Sequence, residues 1–313
     1  MPLAPVPAVS VCVCTFRRPH VERTVRSVNA AIRHAGVPAE IVVVDNDERA
    51  TGREAVRRAA ARTDVPVRYH HSPGGNISVA RNASLDAARG RLVAFVDDDE
   101  RVDEIWLAAL LARREETGAD AVFGPVRALY GPGVPAWMIR LAPHGTAPVR
   151  VGGEIRTGYT CNVVLDRTAP AFRGRRFDPA RGRTGGEDTA FFDAAWRAGA
   201  TFAEAPDAWV EEDVPEMRAK LRWLLERRFR SGQTRAALLM EGADRTGSRA
   251  RFVGPALAKL AFCAANALLA APVPTWRNGW LLRGALHAGV VAGLHGVRER
   301  ELYGPTATRG GAA

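Results

Sequence analysis

The strongest constraint on this chain is a rhythm in its first third. Short β-branched apolar runs, each ending in polar residues, alternate with segments of helical apolar spacing. Val9 to Phe16, Glu40 to Asp45, Val65 to His70 and Gly90 to Val96 are the runs. Between them, Pro19 to His34 places Val21, Val25, Val28 and Ile32 on one face, and Glu54 to Arg62 and Ile77 to Ala88 read as further helices. Runs that are apolar at consecutive positions suit strands buried on both faces. Strands alternating with helices in this way predict an α/β fold with a parallel sheet covered on both sides. Ligands of such sheets bind beyond the carboxyl ends of the strands. Those ends carry Thr15 and Phe16, then Asp45 and Asn46, then Asp97, Asp98 and Asp99.

From Ala119 to Asp213 the pattern is irregular and rich in turns. Phe123 to Val126 and Gly158 to Leu165 read as strands, and Glu187 to Gly199 as a helix with Phe191, Phe192, Ala195 and Trp196 inward. From Met217 the chain turns helical. Met217, Leu221, Leu224, Leu225 and Phe229 form an apolar stripe, with Arg218, Lys220, Arg222, Arg227, Arg228 and Arg230 elsewhere, the mark of a basic amphipathic helix. Two apolar segments follow, Pro255 to Pro272 and Gly279 to Val297. The longest low-charge run, Ala256 to Ala271, is 16 residues interrupted by Lys259. As a helix it measures about 24 Å, short of a hydrocarbon core of about 30 Å. Met1 to Ala8 is proline-rich and does not read as a secretory signal.

The net charge of +10 suggests a nucleic-acid binder until it is divided along the chain. Residues 1–216 sum to −1, 217–251 to +7 and 252–313 to +4, so the basicity belongs to the last third. Cys12, Cys14, Cys161 and Cys263 have neither zinc-finger nor Cys-x-x-Cys spacing and read as reduced thiols of a cytosolic protein.

Asp97-Asp-Asp-Glu100 is the loudest chemical signal. Adjacent carboxylates at a strand end repel one another and call for a counter-charge, which a hard divalent cation supplies through oxygen ligands. The plainer alternative is an acidic run at the N-terminus of a helix near Asp103 to Glu116, favoured by the macrodipole. Its position after a fully apolar strand favours the metal. Glu187-Asp188, after Gly185-Gly186, either caps a helix or supplies a general base. Gly74-Gly75-Asn76, with Arg81-Asn82 beyond it, is either a turn with a helix cap or a bend that lets backbone approach a nucleotide, with Arg81 near its phosphates. The pair His70-His71 reads as a strand end rather than a metal site.

In this order, Val-Ser-Val-x-x-x-Thr-Phe, Val-Val-Asp-Asn, Gly-Gly-x-Ile-x-x-Ala-Arg-Asn, Phe-Val-Asp-Asp-Asp-Glu and Gly-Glu-Asp, the motifs resemble the family 2 glycosyltransferases of the GT-A fold, over about residues 8–215. Cys14-Thr-Phe-Arg-Arg-Pro19, Gly185-Gly-Glu-Asp-Thr189 and the stretch from Val214-Pro-Glu-Met-Arg218 to Arg230-Ser-Gly-Gln233 look most like the branch that assembles bacterial exopolysaccharide and other surface glycans. The resemblance implies a nucleotide-diphospho-sugar transferase fold with a mixed, mainly parallel central sheet. A GT-A catalytic domain would cover residues 1–215, its nucleotide half about 8–118 and its acceptor half about 119–215. A basic, apolar helical region, 216–313, would follow; its own charge and apolar segments suit ordinary packing on the catalytic domain, a position on an anionic bilayer or a hairpin dipping into it, and they favour peripheral membrane association.

Carried over residue by residue, the resemblance has Thr15 and Asp45 hold nucleobase and ribose, with Phe16 standing where such enzymes commonly have tyrosine. Asn46, Gly75, Asn76 and Arg81 would line the nucleotide pocket. Asp99, with Asp97, would ligate Mn²⁺ or Mg²⁺, and Asp98 would turn toward the ribose. Asp188 would be the base, with Glu187 its competitor, and Asn162 would face donor or acceptor. Many members have a histidine as an extra metal ligand, where this chain has Glu211-Glu-Asp213. The implied reaction is a single inverting displacement from a nucleoside-diphosphate sugar, a UDP-sugar, onto a hydroxyl of a lipid-linked or polysaccharide acceptor. The implied setting is the cytoplasmic face of the cell membrane, on an anionic surface, with no nucleic-acid partner. The competing readings are a sugar-nucleotide nucleotidyltransferase, which usually has a glycine-rich loop where Thr15 to Pro19 has no glycine, and a non-enzymatic nucleic-acid-binding protein.

Overall fold

The computed structural model describes residues 6–18, 20–241 and 249–297. The expectations for Met1 to Pro5, for a helix start at Pro19 and for the chain after Val297 lie outside the described residues. The first third follows the predicted rhythm: β1 (Val9–Thr15), α1 (Val21–Ala35), β2 (Ala39–Asp45), α2 (Arg53–Ala60), β3 (Val67–His71), α3 (Ile77–Ala87) and β4 (Leu92–Asp97). Then come β5 (Glu100–Val102), α4 (Trp106–Thr117), β6 (Ala121–Phe123), β7 (Val126–Tyr130), α5 (Ala136–Leu141), β8 (Val149–Val151), β9 (Glu154–Thr157) and β10 (Asn162–Asp166). The remainder is α6 (Glu187–Arg197), β11 (Phe202–Glu204), β12 (Val210–Val214), α7 (Leu221–Glu241), α8 (Ala250–Leu269) and α9 (Pro274–Leu294).

The central sheet has seven strands in the order β11-β6-β10-β4-β1-β2-β3. β3, β2, β1 and β4 run parallel, β10 enters antiparallel between β4 and β6, and β11 runs parallel to β6. Because successive side chains point to opposite faces, each strand feeds two cores. Val11, Val13, Ile41 and Val43 join α1, α2 and α4 on one face. Cys12, Val42, Val44 and Phe95 join α3 and the Phe172, Phe177, Phe191, Phe192 cluster on the other. Register then decides where the polar ends fall: Thr15 lies opposite Asp45, and Cys14 opposite Asp97.

Several expectations change. The strand expected over Phe123 to Val126 is two strands, β6 and β7, because Pro125 cannot donate to a ladder. The strand expected from Gly158 begins only at Asn162, and residues 154–157 pair instead with β8. Trp196 is half-buried, lying under the Arg156 guanidinium 4.0 Å from its ring centroid, rather than inward. Met217 precedes α7 and is exposed, and only Leu224 of the expected stripe is fully buried. α8 begins ahead of Pro255, so Arg251–Leu269 is long and apolar enough to cross a membrane by length and composition, where the sequence run fell short.

The chain forms two compact units. One holds the described residues of 6–127 and 145–212. The other holds 128–144 together with those of 213–241 and 249–297, so the segment carrying α5 groups with the C-terminal helices and not with the domain expected over 1–215. In that second unit α7, α8 and α5 all contact α9.

Candidate active site

The acidic triplet begins on the last residue of β4 and belongs to the tip of the sheet, not to a helix. α4 starts only at Trp106, with β5 between, so the macrodipole reading of the run fails. The three carboxylates do different work. Asp98 is buried and accepts the Thr15 hydroxyl at 2.7 Å and the Phe16 N–H at 3.3 Å, while Thr24 on α1 donates to the Asp98 carbonyl at 2.9 Å. Burial and the charge of Asp99 push Asp98 up to about 7, against the pull of Arg18 and Thr15. Asp99 accepts from Arg18. Asp97 remains reachable, its side chain 44% exposed, with Arg81 Nη2 at 3.7 Å from its Oδ1. Its pKa is raised by the surrounding protein and by Asp99 and Asp188, with Arg81 opposing. Glu100 is buried and accepts the Asp97 N–H at 2.8 Å; burial and Asp97 raise its carboxyl well above the ordinary range.

The second acidic pair opens α6. Gly186 precedes it with φ +81, a conformation that a side chain would strain, and no side chain caps the helix. The N-cap residue thus contributes no side-chain cap, and the pair occupies the first turn, where Asp188 accepts one of the free N–H groups. Glu187 instead forms a buried ion pair with Arg81, which comes from α3, 106 residues away. Its other oxygen, Oε2, is buried without a hydrogen-bond partner. Asp188 accepts from the Thr189 N–H at 2.6 Å and its hydroxyl at 3.2 Å, both on Oδ1. Burial and the Glu187 charge raise Asp188 to about 6, and Arg81 opposes. Glu187, Asp97 and Asp188 hold Arg81 firmly protonated in spite of its burial. Arg81 thus bridges the two acidic groups.

Other expected residues have internal roles. Asp45 is fully buried and accepts the Gly52 N–H at 2.7 Å, the Tyr69 hydroxyl at 2.8 Å and the Asp47 N–H at 3.0 Å, which fixes the turn after β2. The Asn46 amide donates to the Ser72 carbonyl at 2.7 Å, and its own carbonyl accepts the Gly75 N–H at 3.1 Å. Asn76 caps α3 by accepting the Val79 N–H and donates to the Pro179 carbonyl at 2.9 Å. Gly75 and Asn76 thus make the turn-and-cap arrangement. The Asn162 amide is buried and engaged within the protein: it donates to the Pro125 and Ala208 carbonyls at 2.9 and 2.8 Å and accepts the Trp106 indole at 2.8 Å. Glu211 pairs with Arg101 and Arg127, and Glu212 lies opposite Glu100 in the β5–β12 ladder. Phe16 is half-buried, with the Arg17 guanidinium 4.8 Å from its ring centroid.

The sequence reading missed Arg17, Arg18, Asp47 and Tyr69, and it gave Glu100 no role apart from the acidic run. The doublet Arg17-Arg18 directly after β1 was the available signal for a counter-charge to the triplet. Among the described residues no three His, Cys, Asp or Glu side chains converge as a complete metal site. The donor set still fits a hard cation completed by phosphate oxygens. Asp97 and Asp99 offer oxygens, and Asp98, Glu100 and Asp188 gather further carboxylates around the guanidinium groups of Arg18 and Arg81; burial, and after it the neighbouring carboxylates, raises Asp97, Asp98, Glu100 and Asp188.

Residues 10–181 match the model of glycosyl transferase family 2. The succinoglycan biosynthesis protein ExoM of Rhizobium meliloti (strain 1021) is 47% identical over 297 residues, 95% of this chain and 96% of that protein. Among solved structures, the mannosyltransferase PcManGT from Pyrobaculum calidifontis in complex with GDP-Man and Mn²⁺ superposes with a TM-score of 0.63 at 20% identity, over 92% of this chain and 87% of that one. The S. aureus TarS 1–349 complex with UDP-GlcNAc gives 0.54 at 17% identity, over 92% and 89%. These two likenesses bear on the fold, which is GT-A.

Proposed function

The chain belongs to glycosyltransferase family 2, and from that premise we propose that it moves a sugar from a nucleoside-diphosphate sugar, a UDP-sugar, to a hydroxyl of a lipid-linked or polysaccharide acceptor with inversion at the anomeric carbon. The pathway is bacterial exopolysaccharide assembly, in keeping with the 47% identity to a succinoglycan biosynthesis protein. The setting is the cytoplasmic face of the membrane, on an anionic surface.

One observation carries the mechanistic part: Arg81 contacts both the triplet, through Asp97, and the Glu187–Asp188 pair. The residues suited to a donor diphosphate and the residue suited to an acceptor proton therefore belong to one constellation. Asp99 and Asp97 would hold Mn²⁺ or Mg²⁺, which when bound supplies positive charge to the departing nucleoside diphosphate. Asp98 orients the strand-end loop through Thr15 and Phe16, and Phe16 offers a ring face to the nucleobase. Arg81 pairs with Glu187 at the start of α6, next to Asp188. Asp188 takes the acceptor proton on Oδ2, since Oδ1 already accepts from Thr189. Its carboxyl, raised to about 6, is a stronger base than an ordinary aspartate and still ionised at neutral pH.

Asp188→Asn tests the assignment. With a panel of nucleotide sugars and Mn²⁺ or Mg²⁺, transfer should fall about 10²–10⁴-fold, while the donor Kd from calorimetry changes less than about twofold. Equal losses of binding and turnover would refute the base. The nucleotidyltransferase and nucleic-acid-binding readings gain no supporting observation.

A further inference from the structure

α8 is built inside out for water. Its buried positions, Ala256, Cys263 and Ala267, are all small, with Phe252 and Val253 half-buried in its first turn, while Leu257, Phe262, Leu268 and Leu269 point outward. Leu268 and Leu269 are 77% and 81% exposed and Phe262 60%. The turn into α9 continues this surface with Val273 and with Trp276, which is 68% exposed. A soluble helix normally does the reverse and turns its large apolar side chains toward the core. Close backbone contact stabilises the unit in their place. At Gly289 of α9 a Cβ would fall 1.8 Å from the Phe229 carbonyl oxygen of α7, the small-residue approach that bilayer-associated helices also use.

Charge points to the partner. Residues 249–297 contain five Lys and Arg and no Asp or Glu. Lys259 is exposed on α8, and Arg283 of α9 lies 5.0 Å from the Trp280 ring centroid. We propose that the outward face of α8, the turn after it and Trp276 form an interfacial docking surface for an anionic phospholipid bilayer, with Phe262, Leu268, Leu269 and Trp276 in the acyl boundary and Lys259 and Arg283 at the headgroups. This deepens the membrane setting proposed above by naming the surface, on α8 and the start of α9 within the basic region 216–313. A second copy of this chain fits less well, because a two-fold contact would set these cations against themselves. A spanning helix would carry Lys259 through the middle of the hydrocarbon, which an in-plane helix avoids by letting the long side chain reach the headgroups.

The test is sedimentation of the full chain with phosphatidylcholine vesicles, with and without about one third phosphatidylglycerol. The chain should pellet with the anionic vesicles, brominated lipid should quench wild-type fluorescence more than that of Trp276→Phe, and carbonate at high pH should release the protein. The variant F262S/L268S/L269S/W276S should lower the partition coefficient at least tenfold, and K259E/R283E should remove the preference for phosphatidylglycerol. Donor hydrolysis in solution, measured on the same samples, should be unchanged, which separates failure of the docking surface from failure of the transferase reading. Absence of vesicle binding, undiminished binding by the serine variant, resistance to carbonate, or a dimer that the serine variant dissociates would each overturn the proposal.

Discussion

At the scale of single residues, the site separates side chains that hold the protein together from those available for chemistry. Asn162 is the clearest case of the first kind. Replacing it with alanine removes the bonds to the Trp106 indole and the Ala208 carbonyl, while the Pro125 carbonyl keeps the Val210 N–H. A loss of about 2–4 kcal/mol in urea unfolding is expected, with the donor Kd changed less than about twofold; a large affinity loss at intact stability would restore a ligand role. Asp188 is of the second kind. A base acts deprotonated, and burial and Glu187 set its pKa near 6, so kcat/KM should be level above about pH 6 and fall about tenfold per unit below it. Glu187→Gln removes the like charge, so the inflection of the pH profile should move to lower pH. The identity of both acidic motifs was readable in the sequence because carboxylates seldom cluster without a reason. Their partners were not, since nothing local announces that Arg81 on one helix will meet Glu187 at the start of another.

At the scale of elements, the long ones were legible and the short ones were not. β1, β2 and β4 consist of consecutive apolar residues, and α1 repeats its valines at helical spacing, so local pattern and burial agree. β5, β6, β8 and β11 have three residues each, too few to show a period. The second unit adds a testable junction between α7 and the segment after α5. His144 is buried, stacks on Trp223 at 5.5 Å, and sits between the Tyr130 hydroxyl on Nδ1 and the Arg218 carbonyl on Nε2, both at 3.0 Å. A neutral ring satisfies both bonds by accepting from the tyrosine and donating to the carbonyl. Burial lowers its pKa to about 4; the Arg218 carbonyl opposes that, and Arg227, Arg218 and Arg228 add to it. The unfolded ring takes a proton near 6.5, so this contribution to stability is complete above about pH 6.5 and is lost as pH falls toward 4. It amounts to roughly 3 kcal/mol. Urea midpoints of wild type and His144→Gln should differ in pH dependence within that window; parallel curves would exclude His144 as the source.

At the scale of the whole chain, the division of charge along the sequence already separated a near-neutral catalytic part from a basic remainder, because net charge is additive and needs no structure. The membership of 128–144 in the C-terminal unit could not be read that way. The sequence by itself determined the strand-helix alternation, the sheet end at which the polar residues gather, and the two acidic motifs, since all of these are properties of neighbouring residues along the chain. Packing in three dimensions settled that Asp45 and Asn162 face inward, that Arg81 links triplet to pair, and that α8 turns Leu257, Phe262, Leu268 and Leu269 outward. Those outcomes depend on strand register and helix packing, which bring distant residues within hydrogen-bonding reach and which no local window of sequence contains.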